Sequence, residues 1–384
     1  MNLKNLIKQF VPASVRKKAY LLYNTIKIKS IDKLLFPELK IDKKDFKLYQ
    51  ELHPFRINKV QIKEIKDKEV HTYMDRWYEW TQEEFILEFN DCLIEPDIGW
   101  AFTKNHKINY YSLGISRTLF LPKPSFFKLL WKKDIKSKGK VISLRDSGEE
   151  NYFHFYNDVL AKLFFLEHHG IELSNYNILV SEKLWNKSYF QYYFNRSPFL
   201  QGLKWLIQKN EFIYAETCIF CKPLTHRKEL FDEILSLLPL SKATGERKVY
   251  LKRSKQRLRY IENDNEIETV VRSYGFEIID ADELPVEEQI VVFSQTRYLI
   301  AVHGAGITNI IYRKDSPMNV LELFPPPVEG YLPFHYIMLS QMYSFKYQAL
   351  IGQESSIAFS SGFYLNSDKL NKEIANLLMG KNEQ

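Results

Sequence analysis

Cysteine is scarce in this chain, with only Cys92, Cys218 and Cys221 among 384 residues. Three thiols cannot build a disulfide framework, and a single Cys-x-x-Cys without a second pair or nearby His ligands does not make a zinc site, so they read as reduced core thiols. Long apolar runs are missing as well. No stretch approaches the roughly 18 to 20 residues that span a bilayer, and the N-terminus has no apolar segment followed by a small-residue cleavage site. A soluble, unexported, cytoplasmic protein is expected. The sequence also lacks G-x-G-x-x-G, G-x-x-x-x-G-K-[ST], G-x-S-x-G and H-E-x-x-H, which removes the dinucleotide, P-loop, hydrolase-elbow and zinc-protease readings. No internal repeat or low-complexity tract is visible.

What remains is ordinary globular composition, 45% hydrophobic and 26% charged, in a chain long enough for two cores. A net charge of +7 favours an anionic partner, but a nucleotide, an anionic membrane face and nucleic acid all meet that description. From Met1 to Ser30 every charged side chain is basic, Lys4 to Lys29, with apolar residues interleaved. Such a segment can lie on an anionic leaflet or pack on its own domain with a solvated Lys face, and Pro12 interrupts it early.

The stretch from Tyr298 to Lys314 organises the rest. A short apolar run, Tyr298 to Val302, stops at His303-Gly304-Ala305-Gly306, and a helix-compatible run from Ile307 to Tyr312 follows. Strand, tight turn and helix start form an anion site in open α/β sheets, because ligands bind beyond the strand ends and a helix N-terminus offers free N–H groups. Gly304 and Gly306 would let a phosphate come close, Thr308 and Asn309 could add donors, and His303 would face the pocket. An ordinary turn with a capping His fits the same letters.

Val141 to Gly170 is the second clear unit: strand to Leu144, turn at Ser147-Gly148, helix from Tyr152 to Leu166. His154 and Asp158 stand four apart on one face of that helix, where imidazole and carboxylate can share a hydrogen bond. After Asn210 strands and helices alternate, with strands at Phe212 to Phe220, Lys248 to Lys252, Phe276 to Ile279, Tyr298 to Val302 and Asn319 to Phe324, the pattern of a parallel sheet built from βαβ units. Pro325-Pro326-Pro327 is expected to end the rhythm, and a last amphipathic helix, Ser367 to Met379, to pack back across the first domain. Arg253 lands on the same sheet edge as the His303 turn, so a guanidinium and a helix N-terminus would together hold a diphosphate without a metal. Glu322, late in its strand, could accept from ribose hydroxyls. Asp280-Ala281-Asp282 could hold a divalent ion or merely cap the next helix; no metal site is expected.

These residues carry a resemblance. Lys248 to Pro326 resembles the donor-side region of glycosyltransferase family 61, and Asn151 to Glu167 resembles its upstream motif. The match runs in order through Tyr250 and Arg253, Arg259 and Asn263, Gly275-Phe276, Gln289, His303-Gly304-Ala305-Gly306, Thr308-Asn309 and Glu322. Two positions depart from it: Asp264 stands where the family more often has Glu, and Phe155 where Trp is more usual. The resemblance implies an inverting, metal-independent enzyme of the GT-B kind, α/β with two Rossmann-like domains facing across a cleft. It also implies a nucleotide-sugar donor, commonly UDP-linked, and a saccharide or lipid-linked oligosaccharide acceptor in capsule or cell-surface polysaccharide synthesis.

The expected division is a basic segment at 1–45, an acceptor-side domain at 46–210 and a donor domain at 211–384. Arg253, Arg259, Asn263, the His303 to Asn309 turn and Glu322 would bind the donor. His154 would take the acceptor's proton with Asp158 orienting it, or Asp158 would itself be the base. No separate cofactor is implied. A non-catalytic nucleotide- or nucleic-acid-binding protein is the rival reading, though no element interleaves basic residues with stacking aromatics.

Overall fold

Alternation of period two decides which side of each strand in the second half of the chain meets which core. Val249, Leu251, Leu299, Ala301 and Val320 enter one cluster, while Tyr250, Ile300, Val302, Leu321 and Leu323 enter another. The structure, a computed structural model, describes residues 35–49, 53–55, 65, 68–74, 77, 80–113, 135, 137–327, 330–355, 357 and 360–379. The basic stretch from Lys4 to Lys29 lies outside them. No helix among the described residues is long and apolar enough to cross a membrane.

The second sheet has five strands, β1 (Arg247–Leu251), β2 (Glu277–Ile279), β3 (Thr296–Val302), β4 (Asn319–Phe324) and β5 (Lys346–Ile351). All pair parallel, in the order β2-β1-β3-β4-β5. This is a doubly wound order whose switch point falls between β1 and β3, where connections leave in opposite directions and open a crevice at the carboxyl ends. The rhythm does not stop at Pro325 to Pro327 as expected. A helix, His335–Met342, and β5 extend the sheet past the prolines. The last helix, Ser367–Met379, has the expected bounds but lies on its own sheet, where Leu370, Ile374 and Leu377 join the cluster of Tyr250 and Leu321.

The first sheet has eight strands, of which four are parallel. Lys140–Ser143, Asn177–Ser181, Lys204–Gln208 and Ile213–Lys222 form the parallel half. Phe46–Tyr49, Phe85–Ile94, Ala101–Thr103 and Ile108–Asn109 add an antiparallel half. Only half of this sheet is therefore of the Rossmann kind expected. The division at 210/211 is also displaced, because Ile213–Lys222 hydrogen-bonds into the middle of this sheet, between Phe85–Ile94 and Lys140–Ser143. The three cysteines are buried and free. Cys218 and Cys221 share that strand but, three residues apart, face opposite sides of the sheet and join different clusters, so they make no pair.

Between the sheets lies α1, which runs as Tyr152–His154, a π-helical stretch Phe155–Leu160 and Ala161–His168. Asn151 caps it by accepting from the Phe153 N–H. In the π stretch the Ala161 N–H reaches back five residues to the Tyr156 carbonyl, a wide turn often found at functional sites. Tyr156, Leu160 and Leu163 of α1 share one continuous core with Val249, Leu299 and Ile310.

Candidate active site

The switch point delivers two groups. Leu251 pairs with Ala301 at the ends of β1 and β3, so Arg253 and His303, each two residues on, leave the sheet side by side. Gly304 makes their approach possible: a Cβ there would sit 2.1 Å from the Arg253 Nη1. Gly306 is less crowded, its missing Cβ falling 3.1 Å from Leu251. Arg253, Gly304 and Gly306 line one small pocket with Lys252, Asp280 and Asp282. Arg259 and His303 line a second, of ≈ 120 Å³, walled by Phe324 to Pro327 and Tyr331 to Pro333.

This corner is electropositive. Burial depresses the Arg253 pKa, and so do the neighbouring Arg259 and Arg257, against Asp282 and Tyr336. Arg257 pairs with Asp282 at 2.8 Å, and Asp280 accepts from the Asp282 N–H at 3.0 Å, the capping role weighed for that triplet. Arg257 and Arg259 thus lie near enough to Arg253 for their charges to oppose its own, and Asp282 is committed to Arg257. An anion would relieve the repulsion.

The turn differs from the expected α-helical start. Ala305–Arg313 is a 3-10 helix, and the Ile307 N–H is already taken by the Gly304 carbonyl at 3.0 Å, so fewer free N–H groups face a ligand. Thr308 and Asn309, expected as phosphate donors, are completely buried. Asn309 spends its amide on Gln289 at 2.9 Å and the Gly306 carbonyl at 3.1 Å, and its oxygen accepts from the Tyr152 hydroxyl at 2.9 Å. Two further expectations need correcting. Asn263 clamps the chain before the last helix, with its amide on the Leu365 carbonyl and its oxygen on the Leu365 N–H. Glu322 is fully buried, with one oxygen accepting from His303 Nδ1 and the other from the Tyr347 hydroxyl, so it has no atom to offer a ribose.

On α1 the second group is assembled. His154 Nδ1 and Asp158 Oδ2 lie 2.6 Å apart, and the Asn157 amide donates to the other Asp158 oxygen at 3.0 Å. Burial would raise the Asp158 pKa, but the His154 hydrogen bond and the His154, Lys162 and Lys222 charges bring it down to about 2. For His154 burial favours the neutral ring, and the Asp158 hydrogen bond with the Asp158 and Asp146 carboxylates outweighs it, so its pKa rises above 6.5. Gly148 fits against this imidazole, a Cβ there meeting its Cδ2 at 2.8 Å. Beyond Gly148 a ≈ 390 Å³ pocket is lined by Asp97, Asp146, Glu149, Asn151 and Lys187 among others.

A wall of rings, not an open cleft, stands between the two groups. Phe153 packs on His335 at 4.6 Å, His335 lies 6.3 Å from His154, and Tyr336 lies 5.5 Å from His303. His335 and its stacked neighbour His226 are neutral, burial being the first cause in both; His226 falls to about 3. Sequence reasoning missed these histidines, Tyr336, and the buried Lys162 and Asp146. A Lys inside the apolar face of α1 was a signal; His335 and Tyr336, beyond the proline run, gave none.

The family model described as Glycosyltransferase 61 matches residues 152–319, from the start of α1 to the start of β4. The matched span contains both groups but stops short of Glu322. No curated protein matches the chain.

Proposed function

Residues 152–319 belong to glycosyltransferase family 61, and from that premise we propose that the protein transfers a sugar, with inversion, from a nucleoside-diphosphate sugar, UDP-linked, to a hydroxyl of a saccharide acceptor used in cell-surface polysaccharide. The observation that carries the reading is Arg253, packed against Gly304 in the switch-point crevice beside Lys252, with the charges of Arg257 and Arg259 acting on it from nearby. Arginine binds phosphate oxygens bidentately and stays charged, so the diphosphate is held and its departing charge stabilised without a metal.

The acceptor hydroxyl gives its proton to His154 Nε2, since Nδ1 is held by Asp158. The acceptor oxygen bonds to C1 as the bond from C1 to the phosphate oxygen breaks, and that oxygen keeps the electron pair. Attack opposite the leaving group inverts C1. Two α/β units in the GT-B manner, one ending near Lys222 and the other carrying β1 to β5, supply the two halves. Bringing C1 between His154 and His303 requires Phe153, His335 and Tyr336 to give way, so the wall of rings is the element that moves on donor binding.

A thermal-shift panel of UDP, GDP, CMP and their sugars, with and without EDTA, tests the reading. A ligand that binds only the folded state raises the melting temperature. UDP and a UDP-sugar should raise it equally in chelator. A shift that EDTA abolishes and manganese restores would remove the metal-free mechanism, and no shift with any nucleotide would remove the donor site.

A further inference from the structure

Glu322 sits beneath the donor corner, and nothing in the mechanism above uses its carboxylate. Its oxygens accept from His303 Nδ1 and from the Tyr347 hydroxyl. An ionised carboxylate only accepts, so Nδ1 carries its hydrogen and Nε2 is the ring atom left over. That atom has no protein partner among the described residues, although the His303 side chain is only 7% exposed. The ring is held from one side by Phe324, on which it stacks at 5.0 Å, and from its edge by the Glu322 hydrogen bond. It lines the Arg259 pocket and is joined directly to Gly304, against which Arg253 packs. An unpartnered ring nitrogen on a pocket wall, beside two guanidinium groups, is placed for an anionic oxygen.

We propose that Glu322 and Tyr347 are positioning residues that hold His303 so that its Nε2 takes up a proton as a nucleoside diphosphate binds and donates a hydrogen bond to a phosphate oxygen of the leaving group. The inference rests on the donor-site reading above. The proton comes from solvent and stays on Nε2; when the bond from C1 breaks, the phosphate oxygen keeps the electron pair and the imidazolium stabilises its charge. Surrounding groups favour this coupling. Arg253 and Arg259 oppose a further positive charge until the anion arrives, whereas Glu322 supports it. Tyr347 and Tyr336 remain neutral phenols, pushed up by burial and by Glu322, and His335 is kept neutral by burial and by His226 and His154.

Calorimetry of UDP binding in two buffers of different ionisation enthalpy reads the proton directly. The native protein should take up a substantial fraction of a proton per UDP at pH 7.5, beyond any uptake by UDP itself. His303→Asn should lose that uptake and roughly tenfold or more in affinity, the loss expected for one hydrogen bond to a charged group. Tyr347→Phe, which removes one hydroxyl and keeps the ring, should reduce the uptake; Glu322→Gln should do so more strongly, and if it fails to fold Tyr347→Phe still decides. Equal uptake in the native protein and His303→Asn, with UDP bound by both, overturns the proposal and leaves the donor site standing. Failure of UDP, GDP and CMP alike to bind overturns both.

Discussion

Two histidine–carboxylate pairs occupy this fold in opposite surroundings. His154 and Asp158 lie on one turn of a helix with side chains 32% and 24% exposed, while His303 and Glu322 join two strand tips at 7% and 0%. The first pair is partly open to solvent. The second presents one ring nitrogen to a corner crowded with guanidinium. Identical functional groups can thus serve proton removal in one place and charge stabilisation in the other, because exposure and neighbouring charge decide the work. The comparison also separates residues that touch a ligand from residues that hold those that do.

The sharpest way to break it is at His154. Loss of a general base costs about 10²- to 10⁴-fold in rate, so His154→Ala and Asp158→Asn should each lower kcat in that range while UDP affinity stays nearly unchanged. The pH profile adds a sign. Burial opposes protonation of His154, yet Asp158 and Asp146 raise its pKa above 6.5, and a base works unprotonated. Turnover should therefore climb as pH rises through a value above 6.5. Asp158→Asn leaves burial dominant, so its acid limb should move to lower pH as its plateau falls. Normal turnover in both variants would make α1 no more than core.

Next in size is Arg253→Ala. A hydrogen bond to a charged group contributes about 1.5 to 3 kcal/mol, and UDP affinity should weaken by that much. Some of the loss is offset because removing one guanidinium relieves the repulsion with Arg257 and Arg259, which favours the lower end. Unchanged affinity by calorimetry would take Arg253 out of the site.

How far these pairs could be read from the sequence follows from how local each signal is. β4 runs from Asn319 to Phe324 as expected and the last helix from Ser367 to Met379, because apolar periodicity is local. The His154–Asp158 contact is equally legible, since four residues on a helix fix a distance. What eluded the sequence depends on pairing between distant strands. Glu322 becomes a support for His303 only because β4 lies beside β3, and Tyr347 reaches it only because β5 continues past a proline run that reads as an end. Likewise Ile213–Lys222 looks like the first strand of the second half, and only its hydrogen bonds assign it to the first sheet.

Asn263 offers the smallest effect and the cleanest distinction between touching and holding. The resemblance puts it among donor-binding residues, but its side chain faces inward. Its amide nitrogen donates to the Leu365 carbonyl at 2.8 Å and to Glu266 at 2.9 Å, and its oxygen accepts from the Leu365 N–H at 3.1 Å. Leu365 is fully buried two residues before the helix Ser367–Met379, so Asn263→Ala leaves its backbone N–H and carbonyl without these partners. Both bonds are only partly buried, and each such loss costs about 0.5 to 1 kcal/mol. The variant should therefore unfold about 1 to 2 kcal/mol more easily in denaturant, with an unchanged slope and with UDP affinity and proton uptake like those of the native protein. A tenfold loss of UDP affinity without loss of stability would return Asn263 to the ligand and show that the clamp opens when the donor binds.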